Sequence, residues 1–261
     1  MAFGRNEEQK QVKEDFVKRN WYKALKRIKK IDGRVGRPSH LIYLRNRSFF
    51  SDRFWQHGGY TSTTLDYFED NPILLLRDNS ELLQLANAKK AVKTYKKGRE
   101  YDITKEEYKK HLSQAEKEAK ENPENKSIFI LPEREPLFIN LRDNFDLLRF
   151  LSEDSDEAER YMRRLANEKI NDILFNVIDK DKVDDYGEPF QSQLWLYDIN
   201  GRSLITGCGN TRGLVYGCNV FYVAQDFDEK IEQETGRRYS QQKSCILAIL
   251  ESMKPEELLS N

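Results

Sequence analysis

The chain has 261 residues, of which 38% are hydrophobic and 34% are charged. That length and apolar content suffice for one large packed core or two smaller ones. The 14 Phe, 13 Tyr and 3 Trp exclude a wholly disordered chain. No apolar run approaches the roughly 20 residues that a membrane span needs. Three cysteines without a CxxC pair do not build a disulfide framework. From these two features we expect an intracellular, cytoplasmic protein with no membrane span.

The formal charges cancel over the whole chain and are unevenly placed along it. Residues 1–60 contain fifteen Lys and Arg against six Asp and Glu, so this part carries +9 and the remainder carries −9. A concentrated cationic surface attracts nucleic acid or an acidic protein surface. The alternative is that the acidic part of the same chain, or of a neighbouring copy, neutralises the basic part.

The N-terminal segment is predicted to be one long amphipathic helix over residues 6–31. Apolar residues from Val12 to Ile31 recur at helical spacing with lysine and arginine between them, and Asp32-Gly33 ends the pattern. A basic linker then runs through Pro38. We predict that residues 1–38 form a basic arm and linker, followed by a strand at 40–44 and an arginine-rich loop.

The rest of the chain is predicted to be an α+β protein with mixed helices and a mainly antiparallel sheet. Residues 39–125 form a mixed segment in which two helices, with capping pairs Asp78–Glu81 and Thr104–Glu107, build an αα-hairpin with a solvated face of mixed charge. Residues 126–261 form an α+β body. Its predicted elements are strands at 127–131 and 137–141 joined by a turn, helices at 144–151 and 155–178, a β-meander with strands at 194–197, 203–206, 214–216 and 220–223, and two closing helices.

The basic segment is the predicted binding site of a non-enzymatic interaction or assembly protein. Phosphate neutralisation needs clustered Lys and Arg, and nearby aromatic side chains offer stacking faces to bases. We expect that deleting residues 1–31 removes binding without unfolding the body. The residues predicted to contact nucleic acid or an acidic partner are Lys18, Arg19, Lys23, Lys26, Arg27, Lys29, Lys30, Arg34, Arg37, Arg45, Arg47, Arg53 and Trp55.

A second hypothesis assigns the same helix a structural role. Its apolar stripe would dock on a neighbouring subunit and lock copies into a homo-oligomer or lattice, as in a self-assembling viral protein, while its lysines stay in solvent.

A third hypothesis rests on the segment Gly59–Leu65, GYTSTTL, which resembles the Ser-Thr-Ser segment of ADP-ribosyltransferases. Arg45 or Arg47 precedes it, and Glu133 and Glu135 follow as an E-x-E pair. The resemblance implies a nucleotide-using transferase. In that family the arginine and the serine segment hold the dinucleotide, and the second glutamate stabilises the charge that develops at the ribose.

No catalytic residue, metal site or cofactor is predicted from the remaining motifs. The histidines His40, His57 and His111 are isolated and show no H-x-H or HExxH spacing. The glycine-containing segment 207–213 lies between predicted strands and is interpreted as a hairpin connection, since phosphate-binding glycine loops precede a helix.

Overall fold

The computed structural model describes residues 15–49, 51–78, 81–123, 126–131, 138–170, 173–178, 180–199, 202–206, 215 and 218–236. Contacts divide the chain into a unit of residues 1–223 and a unit of residues 224–261. In the second unit, residues 227–236 form a helix. No helix of the described part is long and apolar enough to cross a membrane.

The first unit combines helices with one sheet. The helices are α1 (Trp21–Lys30), α2 (Pro38–Arg47), α3 (Arg53–Gln56), α4 (Leu85–Tyr95), α5 (Lys105–Glu121), α6 (Phe145–Ser152), α7 (Ser155–Asn167) and α8 (Lys180–Tyr186). The strands are β1 (Asp15–Arg19), β2 (Gly33–Val35), β3 (Gly59–Tyr67), β4 (Leu74–Leu76), β5 (Tyr101–Asp102), β6 (Ile128–Ile130), β7 (Phe138–Asn140), β8 (Ile173–Asn176), β9 (Phe190–Ile199), β10 (Arg202–Thr206) and β11 (Cys218–Ala224).

The sheet is mostly antiparallel, which confirms the predicted α+β class. Its main order is β1-β11-β3-β9-β10-β8-β7, with β2 beside β11, β4 between β3 and β6, and β5 beside β9. Strand β8 pairs with β10 and β3 pairs with β11 in parallel orientation. Strands from before and after residue 125 pair within this sheet, since β4 pairs with β6.

Helices cover both faces of the sheet. Leu74 and Leu76 of β4 point into a core that α1, α4 and α5 share. Successive strand residues point to opposite faces, and on the other face Phe129 of β6 lies 5.3 Å, ring to ring, from Phe150 of α6. Helices α2, α6 and α7 pack together there.

The predicted long N-terminal helix is wrong over residues 15–19. These residues form β1 and pair with β11, while residues 6–14 lie outside the described part. The helix that does form, α1, buries Trp21, Ala24, Leu25 and Ile28. Because this segment supplies both a strand and core side chains, deletion of residues 1–31 is now expected to destabilise the unit.

Two further segments take the opposite secondary structure from the one predicted. Residues 40–44 belong to α2, which Pro38 opens at its first turn and which buries most of its circumference. An apolar run that is buried on several sides has no periodicity that separates helix from strand. The predicted helix at 155–178 ends at Asn167, and residues 173–176 form β8.

The predicted pairings of neighbouring strands hold only in part. Strands β9 and β10 pair as expected, whereas β11 leaves the meander and lies between β1 and β3. Strands β6 and β7 both form but pair with β4 and β8. In place of a simple hairpin, α4 and α5 are separated by β5, which pairs with β9.

The predicted ends of the helices around β5 agree well with the structure. At α5 the Thr104 hydroxyl accepts from the Glu107 N–H at 3.1 Å, and the Glu107 carboxylate accepts from the Thr104 N–H at 2.6 Å. After α4, Gly98 takes a left-handed conformation with φ of 77°, as a glycine can at little cost. The Asp78–Glu81 pair, in contrast, does not cap a long helix, because α4 begins only at Leu85.

Candidate polyanion-binding surface

Helix α1 is amphipathic, with its apolar side in the core. The Asn20 side chain caps it by accepting a hydrogen bond from the Lys23 N–H at 3.0 Å. The indole N–H of Trp21 donates to the Leu82 carbonyl at 3.0 Å, and its ring meets Tyr60 edge to face. These contacts fix which side of α1 faces solvent.

The solvent side of α1 carries five cations and no carboxylate. Lys23, Lys26, Arg27 and Lys30 fall within a sector of about 100° on a helical projection, and Lys29 lies beside them. All five side chains are exposed. None of them forms an ion pair with any residue that the structure describes.

Helix α4 repeats this composition next to α1. From Leu82 to Arg99 the sequence contains no Asp or Glu, while Lys89, Lys90, Lys93, Lys96 and Lys97 are all exposed. Lys90 lies 5.5 Å from the ring of Tyr101. Within the ranges described above, these five lysines also form no ion pair.

The two helices pack against each other on the same face of the sheet. Small buried residues, Ala24 on α1 with Ala88 and Ala91 on α4, permit a close approach. Their outer sides therefore adjoin. We call this surface the basic face and define it as Lys23, Lys26, Arg27, Lys29 and Lys30 of α1 with Lys89, Lys90 and Lys93 of α4 and with Lys96 and Lys97, which directly follow α4.

Seven of the thirteen residues predicted for the site are exposed around α1. Lys18 and Arg19 are exposed on β1, and the other five belong to the basic face. Arg34 is half-buried on β2.

Three predicted arginines are paired with carboxylates of the same chain. Arg37 lies 2.7 Å from Glu153, and Arg53 lies 3.0 Å from Asp15. Arg47 binds Glu157 through both terminal nitrogens, at 2.8 and 2.7 Å. Burial alone would raise the pKa of Glu157, and the hydrogen bonds from Arg47 and Asn46 outweigh burial and lower it. For these arginines, the alternative of internal neutralisation describes the structure.

Arg45 and Trp55 lie in the interior, so their assignment to a surface site is corrected. Arg45 is fully buried and donates to the Phe54 carbonyl at 2.8 Å and to the Tyr161 hydroxyl at 3.0 Å. Trp55 is stacked on Tyr161.

The aromatic side chains near the basic segment, which we expected to stack on bases, are likewise buried or packed against other rings. Trp21, Tyr43 and Trp55 are buried, and Phe54 packs beside Phe16 and Phe221. Polar contacts would therefore carry any binding of nucleic acid at the basic face.

The segment that resembles ADP-ribosyltransferases lies in the middle of the sheet. All of β3 is buried, and the Ser62 hydroxyl donates to the Asp78 carboxylate. Glu133 and Glu135, the other half of the resemblance, lie outside the described residues, as does segment 207–213.

A histidine that the sequence leaves isolated has a close partner in the structure. Nδ1 of His111, on α5, lies 2.7 Å from Oδ2 of Asp66, on β3. Burial raises the pKa of Asp66, against the opposing effect of His111. Groups of three or more His, Cys, Asp or Glu that could hold a metal are absent from the described part of the chain.

The lysines of α4 are the residues that sequence analysis missed. They were assigned to a solvated face of mixed charge together with α5. The available signal was local, because the 18 residues from Leu82 to Arg99 lack any carboxylate, whereas α5 alternates both signs.

Comparison with known proteins identifies a similar fold but no matching family. No model of a protein family matches the chain, and no curated protein sequence matches it. A solved structure, described as accommodation of massive sequence variation in Nanoarchaeota by the C-type lectin fold, is similar with a TM-score of 0.55 and 13% sequence identity. The match covers 82% of this chain and 97% of that one. At this identity the likeness shows the fold alone, so the chain resembles the C-type lectin fold in its overall architecture.

Proposed function

We propose that this protein binds a polyanion, specifically nucleic acid, through the basic face. The supporting observation is that ten exposed lysine and arginine side chains, eight on two adjoining helices and two directly after α4, form no ion pair with the described residues. Clustered like charges repel one another, and phosphates that neutralise them release condensed counterions. A fold by itself does not specify a function, so the proposal rests on this surface.

The spacing of the α1 cations suits a phosphate backbone. From Lys23 to Lys30 the helix rises roughly 10 Å, the axial length of about three nucleotides in one DNA strand. Lysine contacts a phosphate as a flexible point charge and distinguishes bases poorly. We therefore propose binding that is largely independent of nucleotide sequence. An intracellular location belongs to the same proposal, because nucleic acid is abundant there.

Neutralising the α1 stripe is expected to weaken nucleic acid binding and its salt dependence. A variant that combines Lys23→Gln, Lys26→Gln, Arg27→Gln and Lys30→Gln tests this. The magnitude of its slope of log K against log salt concentration should decrease by about three to four, since each lost phosphate contact removes about 0.9. Fluorescence anisotropy of a labelled 20-base-pair duplex between 50 and 200 mM KCl, roughly the range over which such contacts dominate, measures this slope. Glutamine is a good helix former, so α1 should persist.

Helix α5 offers a matched control. Lys109→Gln, Lys110→Gln, Lys117→Gln and Lys120→Gln remove the same charge from exposed positions on a helix that also carries glutamates. This variant should keep most of the affinity and slope. Equal losses of affinity in both variants would mean that only the net charge of the protein matters, which contradicts a site on the basic face. An unchanged salt slope in the α1 variant would refute the proposal.

Two further measurements separate the neighbouring hypotheses. If duplex DNA does not bind and polyglutamate does, the partner is an acidic protein surface and the nucleic acid proposal fails. The apolar residues Trp21, Ala24, Leu25 and Ile28 are covered by the chain's own core, which favours the nucleic acid proposal over docking of an exposed apolar stripe on another subunit. Light scattering of the free protein measures its molar mass and therefore shows how many copies of the chain associate.

A further inference from the structure

A cavity of about 240 Å³ lies on the other face of the sheet, away from the α1–α4 core. Its wall includes Arg77 after β4, Lys126 before β6, Phe150 of α6, and Glu153 and Ser155 around the start of α7. The backbone N–H of Arg77 donates to the Ser127 carbonyl at 2.9 Å. That bond holds the two cationic segments side by side.

Arg77 is fixed in place and keeps one donor group open. Its Nη2 donates to the Phe150 carbonyl at 2.7 Å, its Nε lies 3.4 Å from Glu153, and its guanidinium lies 4.5 Å from the Phe150 ring. Nη1 has no partner among the described residues. Burial, the largest effect, lowers the pKa of Arg77 in spite of Glu153, so this guanidinium lacks much of its hydration and an anion would offset that loss.

The other donors at the cavity are similarly unengaged. Lys126 lies 4.8 Å from the ring of Phe129 and has no carboxylate partner in the part of the chain that the structure describes. The Ser155 hydroxyl has no hydrogen bond there either. Lys126 and Ser155 thus add an ammonium and a hydroxyl to the free Nη1 of Arg77.

The acidic groups of the wall are already bound to donors. The Glu153 carboxylate accepts from Arg37 at 2.7 Å and from Ser39 at 2.9 Å. Asp154 caps α7 by accepting from the Glu157 N–H at 3.0 Å. Asp146 lies 3.4 Å from Arg149. These contacts offset the negative charge of the wall and leave Arg77, Lys126 and Ser155 as its unengaged donors.

We infer that this cavity binds a phosphate group, either free phosphate or a small phosphate monoester, through Arg77, Lys126 and Ser155. A guanidinium nitrogen, an ammonium and a hydroxyl supply charge-assisted hydrogen bonds to different oxygens of a tetrahedral anion. The volume exceeds that of the anion alone, which leaves room for the organic part of a small ester. The inference does not depend on the proposed function of the basic face.

Equilibrium dialysis with radiolabelled inorganic phosphate at constant ionic strength tests this site. We expect one saturable site per chain. Lys126→Gln should weaken it at least about fivefold, the effect of losing one charge-assisted hydrogen bond, and Ser155→Ala should weaken it less. Lys117→Gln, on the exposed side of α5, is the control and should leave affinity unchanged. Glycerol phosphate as competitor shows whether an ester is accepted as well as free phosphate.

The four-substitution α1 variant distinguishes this cavity from the basic face. It should bind phosphate like the unaltered protein. Loss of phosphate binding in that variant with retention in Lys126→Gln would overturn the inference. Tighter binding of malonate than of phosphate would overturn it too. Absence of saturation at phosphate concentrations on the order of 10 mM would also overturn it, because a dissociation constant above that concentration corresponds to a binding free energy of only a few kcal/mol.

Discussion

Replacing Trp21 by alanine is expected to lower the free energy of unfolding by about 3–5 kcal/mol, the usual cost of removing a buried tryptophan. The side chain has no solvent exposure. Its loss would leave a cavity between α1, Tyr60 and the Leu82 segment, and the Leu82 carbonyl would lose its indole donor. A loss of this size is a large fraction of the 5–15 kcal/mol that typically holds a domain folded. Urea unfolding followed by circular dichroism measures it.

Trp21→Phe and Lys23→Gln serve as comparisons for this prediction. Phenylalanine keeps most of the packing and loses the hydrogen bond to Leu82, so it should cost about 1–3 kcal/mol. Lys23→Gln changes an exposed side chain two residues from Trp21 and should stay within about 0.5 kcal/mol. A Trp21→Ala protein as stable as the Lys23→Gln protein would mean that α1 does not belong to the core.

Replacing Glu100 by glutamine is expected to stabilise the protein increasingly as the pH rises. Glu100 is 4% exposed, and its Oε2 has no hydrogen-bond partner. Burial raises its pKa from 4.5 to about 8. In the folded state the neutral acid is favoured, so the unfolded chain releases this proton more readily. Between about pH 4.5 and pH 8 the Glu100 contribution to stability should fall by roughly 3–5 kcal/mol, at 1.36 kcal/mol for each pKa unit.

The pH dependence of the difference between two proteins isolates this group from all others. The free energy of unfolding of Glu100→Gln minus that of the unaltered protein should be small near pH 4.5 and should rise through pH 8. Glu116→Gln, on the exposed side of α5, should give a difference close to zero throughout. A difference for Glu100→Gln that is constant from pH 5 to pH 9 would contradict the buried position of this carboxyl group.

The sequence predicts best those features whose causes are local. The Thr104–Glu107 capping box and the glycine at 98 depend on residues within one turn of the chain, and both are confirmed. The class of the fold also follows, because alternating apolar patterns and helical stripes occur in separate segments.

Predictions fail where tertiary contacts decide between local alternatives. Phe16 fits the stripe of a helix that continues into α1, yet residues 15–19 pair with β11, about 200 residues away. Residues 173–176 continue the apolar spacing of α7 and nevertheless join the sheet beside β7 and β10. Neither pairing leaves a signal in the adjacent sequence.

The same distinction applies to the candidate sites. The excess of positive charge near the N-terminus predicted an exposed cationic surface, and the α1 residues are indeed exposed and without ion pairs in the described chain. Which arginines are neutralised could not be predicted, because Glu157 lies 110 residues from Arg47. The contribution of α4 depends on the α1–α4 contact. The cavity at Arg77 depends on three segments that only the fold brings together.

The pairing of β1 with β11 also affects how the protein is made. During synthesis the ribosome releases residues 15–19 long before residues 218–222, with which they pair. At 5–20 residues per second the interval is roughly 10–40 s. Throughout that time the edge of the first strand has its hydrogen-bonding groups open to other nascent chains, so a chaperone that covers the emerging N-terminal segment should raise the yield of folded protein.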